Sequence, residues 1–409
     1  VNDDLRPRPL HGVRVLDFTR VLSGPHATRM LCDLGADVIK VEPPDGDMTR
    51  FSNPRVNGFA GYFVQQNVGK RNVSLDMSRP EALDLLLRLT EHCDVLIENF
   101  RPGVMERMGL GYDAVAARNP RIVYASISGY GQTGPWVHRR AYAPVVGAET
   151  GITRAQGDAR DGTYANDPHS HADVYTSLEA ASAIIAALYQ RERTGRGDRV
   201  DIAMAQTMLY VNEHVHDHLW DGEVRPDWIR SFQPGDYPVL TAANGESVVI
   251  SGHPCERGTF DRFINSMGRA DLAHDARFVD VPTRLAHYAD LLTILREWAA
   301  RMPDPDAIEA ALAQHGLATG RLRTVREIAD TDWAAAREAV VEVSDRAGGT
   351  VRIPNAPWRF AGSDIRTGGE PRYRGEDNHA VLRELLGLDD DTLARLDAAG
   401  VLSHRLPSR

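Results

Sequence analysis

The chain has 409 residues, enough for two domains and a large buried core. Its 42% hydrophobic and 25% charged residues are the composition of a globular protein, not of a disordered or fibrous one. A net charge of −10 argues against a nucleic-acid partner, although a local basic pocket can still hold a small anion.

Gly12–Thr19 reads as a short buried strand, Gly24–Leu34 as a helix and Gly35–Glu42 as a second strand. That is a βαβ unit, which implies a parallel sheet. The alternation continues with a helix over Arg79–His92, a strand over Asp94–Glu98, a helix over Tyr112–Arg118 and a strand over Arg121–Ser128. The fold class expected is α/β, with a Rossmann-like open parallel sheet.

A helix is expected after Asp173, through the apolar run Ala180–Tyr189, then a strand over Val200–Ala203 and one helix over Met204–Leu219. Asp221–Asp236 carries Pro226, Pro234, Gly222 and Gly235 and reads as a linker. Tyr237–Ser251 alternates as a hairpin around Asn244–Gly245, and Glu256–Ala329 reads as several amphipathic helices. These suggest a large first domain over 1–220, a linker over 221–236, a small α+β domain over 237–330 and a returning tail over 331–409. The tail has strand character at Ala339–Val343 and Gly349–Ile353, then helices at Asn378–Leu386 and Asp390–Ala399.

The cysteines, Cys32, Cys93 and Cys255, are odd in number and far apart, so neither a disulfide framework nor a zinc site is expected. The segment Val1–Arg8 has no apolar leader, and no apolar run reaches membrane-spanning length. The expectation is a soluble cytoplasmic protein without a membrane partner.

Asp173 is the most informative residue. It lies in His169-Ser-His-Ala-Asp-Val-Tyr175, at a loop-to-helix junction. An acid there caps the helix start and feels its positive dipole end, which keeps the carboxylate ionised as a nucleophile requires. The bland alternative is an ordinary N-cap.

Gly129-Tyr-Gly-Gln-Thr-Gly134 is a literal GxGxxG after a strand, but Pro135-Trp136 follows and no apolar helical period opens. A dinucleotide fingerprint must open a helix, so no nicotinamide or flavin site is expected here. His214 and His218 would share a helix face with Glu213 and Asp217 nearby, but the order is not HExxH, and no metal is expected. Lys70-Arg71, Arg101, Arg107 and Arg139-Arg140, several near predicted strand ends, suit a phosphorylated ligand.

Taken together, these blocks resemble class III CoA-transferases, the CaiB/BaiF family, along nearly the whole chain. The resemblance rests on Leu10–Thr19, Ser23–Pro25, Leu34–Pro43, Gly46–Arg50, Asn67–Arg71, Leu75-Asp76, Asp94–Gly103, Arg107–Leu110, Ser128–Pro135, Thr194–Gly197 and Arg374–Asn378. It implies that Asp173 is a covalent nucleophile, forming an aspartyl-acyl anhydride and then an aspartyl-CoA thioester. It implies that Leu22, Leu75, Asn99, Arg107, Arg140 and Tyr142 contact coenzyme A, which enters as the substrate thioester. It further implies an acyl-CoA donor, a carboxylic acid acceptor, and an interlocked-ring homodimer.

Three departures separate the chain from formyl-CoA transferases. Leu22 replaces a glutamine, Pro43 replaces a basic residue, and no glycine-rich loop lies between Tyr237 and Gly258. Acyl specificity is therefore not inherited from that subgroup. Trp136, Phe232 and Tyr237 are acyl-pocket candidates by residue type alone.

The competing enzyme is an α-methylacyl-CoA racemase, which needs a second acid/base group. The triplet that would hold its histidine is Ala141-Tyr142-Ala143 here, and tyrosine is a poor base near neutral pH. His169 and His171 could substitute, but in an extended stretch they would point the same way as Asp173. A non-catalytic CoA-binding protein would leave Asp173 without a task.

Overall fold

Successive residues of the central strands point to opposite faces, and here both faces are covered. The computed structural model describes residues 6–160, 162–223, 232 and 234–405. Six strands form one parallel sheet: β1 (Arg14–Asp17), β2 (Asp37–Glu42), β3 (Arg71–Ser74), β4 (Val95–Glu98), β5 (Val123–Ser128) and β6 (Arg199–Ala203). Val15, Val38, Val95 and Val123 pack on one face with Leu31, Ile184 and Leu188. Leu16, Ile39, Leu96 and Tyr124 pack on the other with Leu85, Leu86 and Leu89. The first face is covered by helices α1 (Ser23–Asp33) and α6 (His171–Thr194), the second by α3 (Pro80–Thr90). Between them in sequence lie α2 (Gly61–Asn67), α4 (Val104–Arg107) and α5 (Ala143–Glu149).

The strand order is β3-β2-β1-β4-β5-β6. The winding reverses between β1 and β4, so the loops that leave them separate and open a crevice at their carboxyl ends. That crevice is where a ligand is expected.

The described residues fall into two compact units, one within 1–158, 163–215 and 332–409, the other within 159–162 and 216–331. In the first unit the C-terminal helices Asn378–Leu386 and Asp390–Ala398 add Val381, Leu382 and Leu393 to the second face of the sheet. The second unit has a three-stranded antiparallel sheet, Val239–Thr241, Ser247–Ser251 and Ala318–Arg321. Its helices pack Phe260, Phe263, Leu291 and Leu295 into a core of their own. The hairpin expected at Asn244–Gly245 is present, with Gly245 at φ 85°.

Some expected elements change. The helix over Met204–Leu219 is two pieces, Met204–Tyr210 and His216–Leu219. Between them the Asn212 side chain accepts the His214 N–H at 3.0 Å, competing with the helical ladder. His214 and His218 therefore do not share a helix. Strand β3 and helix α2 were not predicted from the sequence. The expected linker Asp221–Asp236 lies mostly outside the described residues. No helix among the described residues is long and apolar enough to cross a membrane.

Candidate active site at the ends of the first and fourth strands

Strand β1 ends in Asp17, a fully buried acid. Lys70 Nζ lies 3.2 Å from its Oδ2, and Thr28 Oγ1 donates to the same oxygen at 2.6 Å. Burial alone would raise the Asp17 pKa, but the Lys70 and Lys40 ammonium groups outweigh it and hold the carboxyl below its usual range. Burial lowers Lys70 to about 8 in spite of Asp17. Lys40 Nζ donates to the Thr19 carbonyl at 2.7 Å and pairs with Asp47 Oδ2 at 3.2 Å. Asp47 Oδ2 in turn accepts the Val21 N–H at 3.2 Å. Paired buried charges of this kind do not tolerate loss of one partner, so they fix the turn 18–22 firmly.

The turn is strained. Val21 has φ 66°, a region β-branched residues avoid. Leu22 follows as the N-cap of α1, and Ser23 begins the helix. Position 24 admits only glycine, because a Cβ there would lie 2.1 Å from Thr19 Cγ2. The result is a helix N-terminus with its first N–H groups and positive dipole end at the crevice.

Asp173 sits opposite. It is not the N-cap of α6; Ser170 is, and Asp173 lies in the first helical turn. The Ser23 backbone N–H and hydroxyl lie near its carboxylate and favour the ionised form. Ser177 Oγ lies 2.7 Å from the carbonyl oxygens of both Ser23 and Asp173, tying the two helix starts together. Asn99, after β4, completes the arrangement. Its Oδ1 accepts the Arg20 N–H at 2.8 Å, and its Nδ2 donates to the Arg20 carbonyl at 2.9 Å and to Ser23 Oγ at 3.2 Å.

Burial raises the Asp173 pKa to about 6, against the lowering effect of the two Ser23 donors. The sequence argument from the helix dipole was therefore incomplete, because half-burial is the larger effect here. A carboxyl with a pKa of about 6 is mostly ionised at pH 7.

Asp173 faces a cavity of about 350 Å³. Leu22, Asn99, Arg140 and Tyr142 line it, as do Ser23, Arg20 and Arg101. Among the described residues Asp173 is its only acid, and no histidine, lysine or cysteine lines it. Arg139 is paired with Glu149 and lies over the Trp136 ring at 4.5 Å. Arg101 and Arg140 have no acidic partner among the described residues, which leaves them available to an anion. Arg20 lies over the Phe100 ring at 5.6 Å, and its Nε is buried without a hydrogen-bond partner among the described residues.

Two of the residues expected at coenzyme A do not line this cavity. Leu75 is fully buried in the core of the second face. Arg107, at the end of α4, is exposed and lies over the Gly103 turn. His169 and His171 line a different cavity, and His171 Nδ1 is 2.7 Å from Asp167 Oδ2. Because His171 and Asp173 are two apart on a helix and not on an extended strand, they project from different faces. Trp136 is exposed, edge-on to Tyr130 at 5.2 Å, while Phe232 stacks on His253 in the second unit at 4.0 Å.

The GxGxxG run opens no helix; α5 starts only at Ala143. Gly129 instead lets the loop approach Ala141, where an added Cβ would come within 2.1 Å of the alanine methyl.

Sequence reasoning missed Ser23 as a partner of Asp173, and it missed Tyr62. Tyr62, on α2, lines the same cavity, and burial with the nearby Asp173 and Asp47 charges pushes its phenol up to about 12. The only available signal for Ser23 was its place in the Ser-Gly-Pro block.

The model of CoA-transferase family III matches residues 10–378. A formyl-CoA:oxalate CoA-transferase from Streptomyces coelicolor is 33% identical, over 97% of this chain and 99% of that one. A succinyl-CoA–D-citramalate CoA-transferase from Chloroflexus aurantiacus is 31% identical, over 97% and 98%. The crystal structure of a CaiB/BaiF family protein from Brucella suis superposes with a TM-score of 0.81 at 32% identity, covering 93% of this chain and all of that one.

Proposed function

Because the chain belongs to CoA-transferase family III and is an enzyme of that class, we propose that Asp173 is the covalent nucleophile of the transfer. The observation that carries this reading is the half-buried Asp173 carboxylate, the only acid lining its cavity among the described residues, beside the N-terminus of α1.

The cycle runs as follows. An Asp173 oxygen attacks the carbonyl carbon of the acyl-CoA thioester, the C–S bond breaks, and CoA leaves as the thiolate. The thiolate attacks the aspartyl carbonyl of the resulting anhydride, which expels the donor acid and leaves an aspartyl-CoA thioester. The acceptor carboxylate attacks that thioester and releases the thiolate again. The thiolate then attacks the acceptor's carbonyl in the second anhydride, and Asp173 is regenerated. Each step passes through a tetrahedral oxyanion, and donors fixed before the reaction stabilise such charge at low reorganisation cost. The Ser23 N–H and hydroxyl, near the carboxylate and with Asn99 bonded to the hydroxyl, support this role.

Arg101 and Arg140 serve the coenzyme A phosphates, with Arg107 as a further contact outside the cavity wall and Leu22, Asn99 and Tyr142 along the rest of the coenzyme. No other cofactor enters the cycle. The racemase alternative has no support from the described lining residues, which offer no histidine to face Asp173. The protein acts as a cytoplasmic homodimer in this reading.

The test is Asp173→Ala. It abolishes transfer between an acyl-CoA and a free acid while coenzyme A thioester still binds in calorimetry. Turnover retained in that variant contradicts the covalent mechanism.

A further inference from the structure

Among the described residues the buried acids are Asp17, Asp33, Glu42, Asp47, Glu98 and Asp377. All but one have a lysine or arginine nitrogen within 3.7 Å: Lys70 at Asp17, Arg29 at Asp33, Arg50 at Glu42, Lys40 at Asp47 and Arg372 at Asp377. Glu98 is the exception, although only 4% of it is exposed.

Glu98 ends β4 on the face of the sheet that carries Leu96 and Tyr124, and its register partner on β5 is Ser126. Its Oε2 accepts the Phe100 N–H at 2.8 Å. That bond closes the turn that presents Asn99, Phe100, Arg101 and Pro102 to the cavity of Asp173. The charged and titratable groups around Glu98 are Arg199 on β6, Glu106 on α4 and Tyr124 on β5. Arg199 pairs with Glu106 at 3.8 Å, and the Tyr124 hydroxyl donates to the Leu110 carbonyl at 2.9 Å. Burial pushes the Glu98 carboxyl up to about 7, against the effects of Ser126, the Phe100 N–H and Arg199, while Glu106 adds to the rise.

A buried carboxylate without an ion-pair partner is readily neutralised, because protonation removes the charge that burial opposes. The protonated group keeps a carbonyl oxygen for the Phe100 N–H, so the turn survives the change. An anion arriving on the cavity side of the turn repels the ionised form and not the neutral one, and low-dielectric surroundings strengthen that repulsion.

We propose that Glu98 is a proton-coupled positioning residue for coenzyme A: it holds the Asn99–Pro102 turn in both charge states and takes up a proton from solvent when the coenzyme's phosphates dock against that turn. The proposal rests on the reading that Arg101 and Arg140 receive those phosphates. Its consequence has a definite sign, since binding that takes up a proton weakens as pH rises.

The experiment is calorimetric titration with 3′-dephospho-coenzyme A, whose pyrophosphate keeps its charge around neutral pH. It uses the Asp173→Asn protein, where the acid of the cavity no longer titrates, in buffers of different ionisation enthalpy at about pH 7.5. The expected result is uptake of about half a proton per coenzyme, with affinity falling about three- to tenfold from pH 6.5 to 8.5. Glu98→Gln keeps an oxygen for the Phe100 N–H. Added to the same protein, it should abolish the uptake, flatten the pH dependence and bind more tightly than its parent at pH 8.5. Loss of a merely structural group does not tighten binding. Absence of proton uptake in the Asp173→Asn protein overturns the proposal without any Glu98 variant, as does uptake that persists in Glu98→Gln. Failure of coenzyme A and its dephospho form to bind at any pH would instead overturn the phosphate reading, and the proposal with it.

Discussion

The Ser23 backbone N–H and hydroxyl both favour the ionised form of Asp173, so the start of α1 faces the carboxylate at the start of α6. The two residues are joined again through Ser177, whose hydroxyl is 2.7 Å from each of their carbonyl oxygens. Upstream, the buried pairs Lys40–Asp47 and Lys70–Asp17 hold the turn that delivers Ser23. The site is thus built from the polar end of the sheet outward, with the charge network fixing a loop and the loop fixing a donor.

The pH dependence of kcat/KM reports this relationship. Asp173 must be ionised to attack, so activity is expected to rise with pH through about 6. The Ser23 hydroxyl lowers the Asp173 pKa, so Ser23→Ala should move the acid limb to higher pH and reduce kcat by about tenfold or more. An acid limb that stays in place, measured on the same donor, separates Ser23 from Asp173.

The same pKa predicts a stability change. The folded pKa of Asp173 lies above that of an unfolded aspartate, so between about pH 4 and 6 the native state binds more protons and stability falls as pH rises. Asp173→Asn removes that loss. Its chemical-denaturation stability at pH 8 should exceed that of the parent by roughly 1 to 3 kcal/mol, with the difference shrinking as pH falls from 6 towards 4. A variant less stable than its parent at pH 8 contradicts the assignment of burial as the dominant effect.

Two residues that the family resemblance places at coenzyme A should behave differently. Arg140 lines the cavity without an acidic partner among the described residues, so Arg140→Ala should weaken coenzyme A binding about tenfold or more, and less so at high salt. Leu75 is wholly buried, so Leu75→Ala should cost about 2 to 5 kcal/mol of stability, whatever its effect on the ligand. Calorimetry and urea titration of both variants decide the matter.

Much of the first unit was legible because its central strands are short apolar runs between helical periods. β1, β2, β4 and β5 could be read directly. β3 could not: Arg71-Asn-Val-Ser74 has a single apolar residue. It is a strand because Asp377 and Asn378 accept the N–H groups of Asn72 and Ser74 at 2.8 Å, from residues some three hundred positions away. Asp173 stood out from its motif and its place at a helix start, but its partner did not, since nothing local links position 23 to position 173. The same long-range closure hid Tyr62, which sits on a seven-residue helix opened by glycine. Asn212 misled in the other direction, breaking a helix that the apolar period extends through.

The most direct measurement is intact-protein mass spectrometry after mixing with a panel of acyl-CoA thioesters, with hydroxylamine and borohydride trapping. The account predicts an acyl-sized or CoA-sized adduct, and trapping that maps to Asp173. Transfer without any adduct, or an adduct on another residue, would contradict it. So would a protein that forms no adduct and instead washes deuterium from solvent into the α-position of a branched acyl-CoA.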